Sequence, residues 1–396
     1  MPGKSALQRR YDLDWLRVGA LGLLILTHVL YVYRTVPWRV HSANAGMWGD
    51  LFLEALAPWR ISLVFFIAGA ATRFMLERKD LPGFVQNRIL RLGVPFVMAL
   101  ILFVPTMSYL TDPHAGGHNY IEYVFDHAFH NHNLFGFWVP DLGHVWFLPY
   151  LLTYSVATGI VWSLAPNAFQ SACDRVARQP VLVIGSGLAA MFILSDAFLK
   201  PVFGRTDMFL DDPAGHVRCI PPFLLGVMLV RADGFWTRLK DSTHWLYPAA
   251  LGLGVLSVSL TAAKLVAGPA LPLVVKDFVS GLFGATAVFA VLAFGAARLQ
   301  SESPIQRYFG DAIMPIYLMH QPLIVAGYLW AAKVGLPGWL EFPLVLAAAS
   351  LIPLAVYHFA IRKAWPLRIL FGLKAELPGH KKSSHTPGVA AHTGRS

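Results

Sequence analysis

Apolar runs about twenty residues long, separated by short polar clusters, recur along the whole chain. They predict spans at 15–36, 57–76, 89–110, 143–163, 180–197, 217–231, 244–266, 273–298, 306–331 and 340–361. The expected fold class is therefore all-α: a polytopic integral membrane helical bundle of about ten transmembrane helices. Residues 1–14 read as an N-terminal segment, 15–361 as the transmembrane domain, and 362–396 as a polar tail disordered from about 373, where Pro and Gly occur without apolar period. The sixth run is short and holds Pro221 and Pro222, so it either crosses or re-enters. The first run continues past a short signal-peptide core and is read as a retained span.

Composition agrees with the pattern. With 56% hydrophobic and 14% charged residues, the 396-residue chain lacks the charged surface of a soluble domain of its size. A formal charge of +10 could suggest nucleic acid, but the basic residues are scattered between apolar runs, as topology charges are. Placing the N-terminus in the cytoplasm puts most of them on the inner side, including Arg73, Arg78, Lys79, Arg88, Arg91, Arg175 and Arg178, and an even number of crossings returns the C-terminus there. Cys173 and Cys219 are too few for a disulfide framework or a thiolate metal cage.

Candidate chemistry sits in the spans. In RRYDLDWLRVGALGLLILTHVLYVYRT, Arg17 and His28 are eleven positions apart, so a helix puts them on one face, roughly 16 Å apart along its axis. Arg17 fits interfacial snorkelling, or pairing with Asp12 or Asp14, as well as an anion-binding role. His28 fits an interhelical hydrogen bond or proton exchange near neutral pH. In QNRILRLGVP, the spacing of Arg88 and Arg91 predicts a shared helix face, either a phosphate clamp or topology charges.

These residues carry a resemblance. An Arg, ten intervening residues and a His, followed by Arg-x-x-Arg, is the pattern of the membrane acyltransferase-3 family; here the residues are Arg17, His28, Arg88 and Arg91. PWRISLVFFIAGAATRF, GHVWFLPYLL and IYLMHQP are similar to further blocks of that family. HSANAG and PWR resemble its glucan-modifying branch, typified by a periplasmic-glucan succinyltransferase. The resemblance implies a bacterial inner-membrane enzyme moving an acyl group from acyl-CoA, with succinyl-CoA and acetyl-CoA as the candidate donors, to a hydroxyl of a glucan or other envelope carbohydrate. It implies His28 as general base, with direct transfer and a transient acyl-histidine both open. It also implies Arg88, Arg91 and Arg17 toward the donor, with Arg17 close to the chemistry.

Weaker candidates for substrate contact are His41, Glu54 and Arg60 in an external stretch, His144 and Trp146 at the start of span four, and His320 between Pro315 and Pro322. Each also has a plain structural reading as a packing, anchoring or hydrogen-bonding residue. His114, His118, Asp126, His127, His130 and His132 invite a metal but follow mixed spacings, and acyl transfer needs none, so no tightly bound metal is expected. A secondary transporter of an anion or carbohydrate, or an inactive envelope-assembly scaffold, would use similar spans, although no inverted repeat supports transport. Membrane lipid is an obligatory neighbour, and the oligomeric state stays open.

Overall fold

The computed structural model describes residues 10–112, 115–117, 119–125, 132–134, 137–139, 141–268 and 273–374. Its helices are α1 (Tyr11–Leu30), α2 (Met47–Leu76), α3 (Leu81–Arg88), α4 (Val94–Thr111), α5 (Tyr120–Tyr123), α6 (Phe147–Leu164), α7 (Pro166–Arg178) and α8 (Val181–Ile193). They continue with α9 (Lys200–Phe203), α10 (Pro213–Leu229), α11 (Asp233–Asp241), α12 (Thr243–Ala267), α13 (Leu273–Arg298), α14 (Pro304–Lys333), α15 (Gly338–Val356) and α16 (Trp365–Leu370). One short antiparallel hairpin, β1 (His132–Leu134) with β2 (Phe137–Val139), lies between α5 and α6. Among the described residues nine helical segments are long and apolar enough to cross a bilayer. The α10–α11 pair, bent by 112°, makes a tenth when counted as one span. The chain is thus a polytopic membrane helical bundle.

The sequence periods place the crossings well but not all their ends. The second span starts at Met47 rather than 57, so Glu54 lies on α2, the helix of Arg60, and not in a loop. Pro58 sits inside that helix, and the Arg218 side chain donates to its carbonyl. The sixth run is helical through both of its prolines. Two glycines explain how tightly it seats: a Cβ on Gly69 would lie 1.9 Å from the Phe223 carbonyl oxygen, and one on Gly226 would lie 1.9 Å from that of Phe66. Only glycine lets the α2 and α10 backbones meet this closely, the usual device where lipid supplies no hydrophobic drive between helices.

Two apolar cores result. The larger joins α1, α4, α6, α10, α14 and α15 through Val29, Phe65, Leu148, Phe223 and Leu318, and the smaller gathers α8, α11 and α13 around Phe192, Phe235 and Phe289. Helices α1 and α2 face both, with Leu13 and Leu63 in one and Ile25 and Phe65 in the other. Cys173 and Cys219 are free and buried. The described part of the tail, through Lys374, is folded: Phe371 meets Phe103 of α4 at a ring distance of 6.2 Å. Residues 1–9 and 375–396 lie outside the described residues.

At the end of the bundle where α1 begins, Glu77 ties α2 to the α10–α11 junction. It accepts from Arg73 Nε at 2.8 Å and from Arg231 at 2.5 and 3.0 Å. Burial alone would raise its pKa, but the two guanidiniums outweigh that and hold the carboxyl below its ordinary range. A group depressed in this way adds stability above its unfolded pKa and loses it as pH falls through the folded value. Glu77→Gln is expected to lower unfolding stability by about 1–3 kcal/mol at neutral pH. The difference from wild type should shrink to nothing in acid, which denaturation at a series of pH values measures.

Candidate active site

The candidate active site forms where α1, α6 and α14 meet. Pro322 has no N–H, so the Leu318 carbonyl four residues earlier in α14 loses its helical partner. His144, in the 3-10 turn Gly143–Trp146 that opens the fourth span, donates from Nε2 to that carbonyl at 2.9 Å. In the same helix His320 contacts the Tyr317 carbonyl through Nδ1 at 2.6 Å. The Tyr317 hydroxyl in turn donates to the His144 carbonyl at 2.5 Å, and its ring stacks on His320 at 6.0 Å. His144 and Tyr317 thereby lock this part of α14 to the fourth span.

His28 completes the group. Its Nδ1 is 3.1 Å from His320 Nε2, and the rings lie 4.9 Å apart. The tautomers follow from the partners. A carbonyl only accepts, so His320 Nδ1 carries a proton and its Nε2, in the neutral ring, carries a lone pair. His28 must then donate from Nδ1, which leaves its Nε2 as the lone-pair nitrogen. His320 and His144 are 0% and 4% exposed, while His28 stays half-buried. The arrangement is an oriented imidazole whose second nitrogen is poised to accept a proton.

Arg60 of α2 lies beside it. Its guanidinium donates to the hydroxyl of Thr27, the residue before His28, and to the Leu24 carbonyl at 3.4 Å. Its Nε is buried without a partner, as is Nδ1 of His144. Such groups are costly in an apolar interior and mark places where a substrate atom would be welcome.

The arginines gather at the end of the bundle where α1 begins. Arg17 is exposed and donates to the Gly310 carbonyl at 2.8 Å. Arg91 lies in the field of Asp311, Arg17 and Arg368 and reaches toward the Gly372 carbonyl at 3.5 Å. The predicted shared face of Arg88 and Arg91 is altered by a π-helical turn, Ile89–Gly93, next to Pro95, which cannot supply its own backbone donor. Arg88 turns inward onto the Thr72 hydroxyl at 2.9 Å, 7% exposed, whereas Arg91 faces the mouth. The two remain within electrostatic reach of each other.

The other sequence candidates divide between the site and its scaffold. Trp146 sits beside His144 and carries Arg205 over its ring at 5.3 Å. His41 is exposed near the far end, contacting the Arg34 carbonyl at 3.1 Å while its own carbonyl accepts from Tyr328. Glu54 is outside the histidine group: it accepts from Ser257 at 2.6 Å and pairs with Lys276 at 3.0 Å. Asp12 is fully buried and pairs with Arg10 at 2.6 Å. Sequence reasoning did not single out Tyr317, Asp311, Arg368 or Arg205. For Arg205 the signal was present, a charged RTDMFLDD segment between two spans. His114, His118, Asp126, His127 and His130 lie outside the described residues, and for His132 only the backbone is described. Among the described residues no group of three His, Cys, Asp or Glu is arranged to hold a metal.

The fold and the site are thus those of a membrane bundle with a histidine pair at its heart and arginines at one mouth. The model of the acyltransferase-3 family, described as an acyltransferase domain, matches residues 10–358, and the chain belongs to that family. It is 24% identical over 323 residues to the glucans biosynthesis protein C of Salmonella gallinarum strain 287/91, covering 80% of this chain and 82% of that protein. Proteins of the same name from Salmonella heidelberg strain SL476 and Salmonella typhi are 24% identical over 331 residues, with the same coverage. No solved structure matches the chain.

Proposed function

We propose that this acyltransferase moves an acyl group from acyl-CoA, with succinyl-CoA and acetyl-CoA as the candidate donors, to a hydroxyl of a glucan or related envelope carbohydrate. It acts in the bacterial inner membrane with both termini in the cytoplasm. The observation that carries this reading is the His320–His28 contact, which presents an unprotonated His28 Nε2 between the arginine-lined mouth and the far side of the bundle. The names of the Salmonella relatives support the glucan.

In the proposed reaction the acceptor oxygen attacks the thioester carbonyl carbon while its proton passes to His28 Nε2. The new imidazolium keeps its Nδ1–H on His320, whose role is to position the ring. The unpartnered Nε–H of Arg60 would face the negative oxygen of the tetrahedral intermediate. The C–S bond then breaks, and the CoA thiolate takes the proton back from His28. Arg60 disfavours a long-lived second cation beside it, so the proton is best handed on within the same encounter. At the mouth, Arg17 and Arg91, with Arg88 within electrostatic reach of Arg91, would hold the CoA phosphates. The roughly 16 Å from Arg17 to His28 along α1 suits an extended pantetheine arm.

Vesicles carrying the reconstituted protein, with labelled acyl-CoA on one side and glucan on the other, test the reading. Acylated glucan is the expected product; glucan crossing the membrane unmodified would sink it. Because Lys lacks the planar fork of Arg, the double variant Arg88→Lys, Arg91→Lys is expected to raise the donor KM about tenfold or more with the acceptor KM unaltered. Steady-state kinetics with each substrate varied in turn read this out.

A further inference from the structure

The segment 204–212 enters the far side of the bundle between the fifth span and α10, and most of its polar groups are spoken for. Asp212 is 1% exposed, accepts from the Gly215 N–H at 2.8 Å to cap α10, and accepts from the Tyr150 hydroxyl at 2.8 Å. His216 Nε2 donates to the Phe209 carbonyl at 2.7 Å, so its Nδ1 is the acceptor for the Tyr154 hydroxyl at 2.6 Å. Tyr150 stacks on His216 at 4.9 Å. Thr206 donates to the Asp211 carbonyl at 2.5 Å, and Met208 is buried. The segment is a rigid shelf rather than a loose connection.

Two side chains on this shelf are not used to hold it. Arg205 Nε donates to Asp207 Oδ1 at 3.1 Å, and the pair stays open to solvent, 29% and 43% exposed. Arg205 rests on Trp146, two residues from His144. Tyr317, the residue stacked on His320, lies in the field of Asp207, and Arg60 lies in that of Arg205. Asp207 also has φ 54°, and among the described residues no other non-glycine has a positive φ. Such a conformation is strained for a residue with a Cβ and persists where the surroundings impose it, commonly at binding sites.

We propose that Arg205 and Asp207 form the acceptor subsite, gripping neighbouring hydroxyls of a neutral sugar so that another hydroxyl is held toward His28, with Trp146 as the platform for the guanidinium. This rests on the acyl-transfer reading above. The chemistry favours a neutral polyol over an anion. The guanidinium is already balanced by Asp207, and Asp212 and Asp141 add further negative charge around that carboxylate. Arg39 offsets Asp141 through an ion pair, and with Arg60 counted against Asp212 the pocket carries no excess of cations to attract an anion. A side-by-side donor and acceptor instead match the alternating donor and acceptor demands of adjacent sugar hydroxyls.

The test uses the full chain in nanodiscs with a panel of neutral glucose oligosaccharides of differing linkage and acyl-CoA. Arg205→Gln and Asp207→Asn are each expected to raise the KM of the best acceptor at least tenfold while the donor KM stays within twofold. Arg205→Lys, which keeps the charge and loses the fork, should fall between them and wild type, and it carries the test should Arg205→Gln not fold. Thermal unfolding checks the fold of each. An unchanged acceptor KM in the folded variants overturns the assignment. So does a shift confined to the donor, or a wild-type enzyme that acylates anionic acceptors but no neutral sugar. Product analysis keeps the two ideas apart: a wild type that acylates no acceptor would fault the acyl-transfer reading, whereas acylation with an unchanged acceptor KM in the variants would fault the subsite alone.

Discussion

His28→Ala is expected to lower acyl transfer by about a thousandfold or more while the protein inserts and folds as before. The reason is local. His28 is half-buried and gives its Nδ1 proton to His320, so removing the ring deletes the proton acceptor and breaks a single interhelical contact. The remaining lock between the fourth span and α14, from His144 to Leu318 and from Tyr317 to His144, does not involve it. His28→Gln should fail equally, because an amide can hydrogen-bond but cannot take a proton near neutral pH. Turnover is followed by release of free CoA together with product mass. Near-normal turnover in either folded variant would remove His28 from the mechanism.

His320→Phe is expected to lower kcat by about a hundredfold with the KM values of donor and acceptor little changed. Phenylalanine keeps the ring's volume in a fully buried place but has no lone pair to receive His28 Nδ1–H. His28 would then sample other rotamers and tautomers, and the developing imidazolium would lose its partner. His320→Asn, whose amide oxygen can accept, should recover part of the loss. A merely structural role for His320 predicts the opposite pattern: lowered thermal stability, both KM values raised, and no rescue by Asn.

Much of this was legible in the chain. Twenty-residue apolar runs determine crossing helices, because a peptide group in hydrocarbon must find its hydrogen bond within its own segment. The Arg17–His28 spacing determines a common face, since helical geometry leaves no freedom there. Pro322 determines that Leu318 has a carbonyl to offer. The prolines were a poorer guide to helix ends: α2 runs through Pro58 and α10 through Pro221 and Pro222.

What the chain did not reveal is which residues meet. His28 and His320 are 292 positions apart, and His144 is 174 from the carbonyl it holds. In a soluble helix a polar face and an apolar face would have shown which side turns inward. In a bilayer the lipid side is as apolar as the core, so the helices carry little such stripe and their rotation is invisible to periodicity. The same absence hid the separate tasks of Glu54 and Arg60 on one helix, and the parting of Arg88 from Arg91 at a π-helical turn. By itself, then, the sequence determined a membrane bundle with a histidine and arginines on its spans. Only tertiary packing decided that His28 and His320 would meet, because helix rotation and register are set by neighbours and not by the solvent.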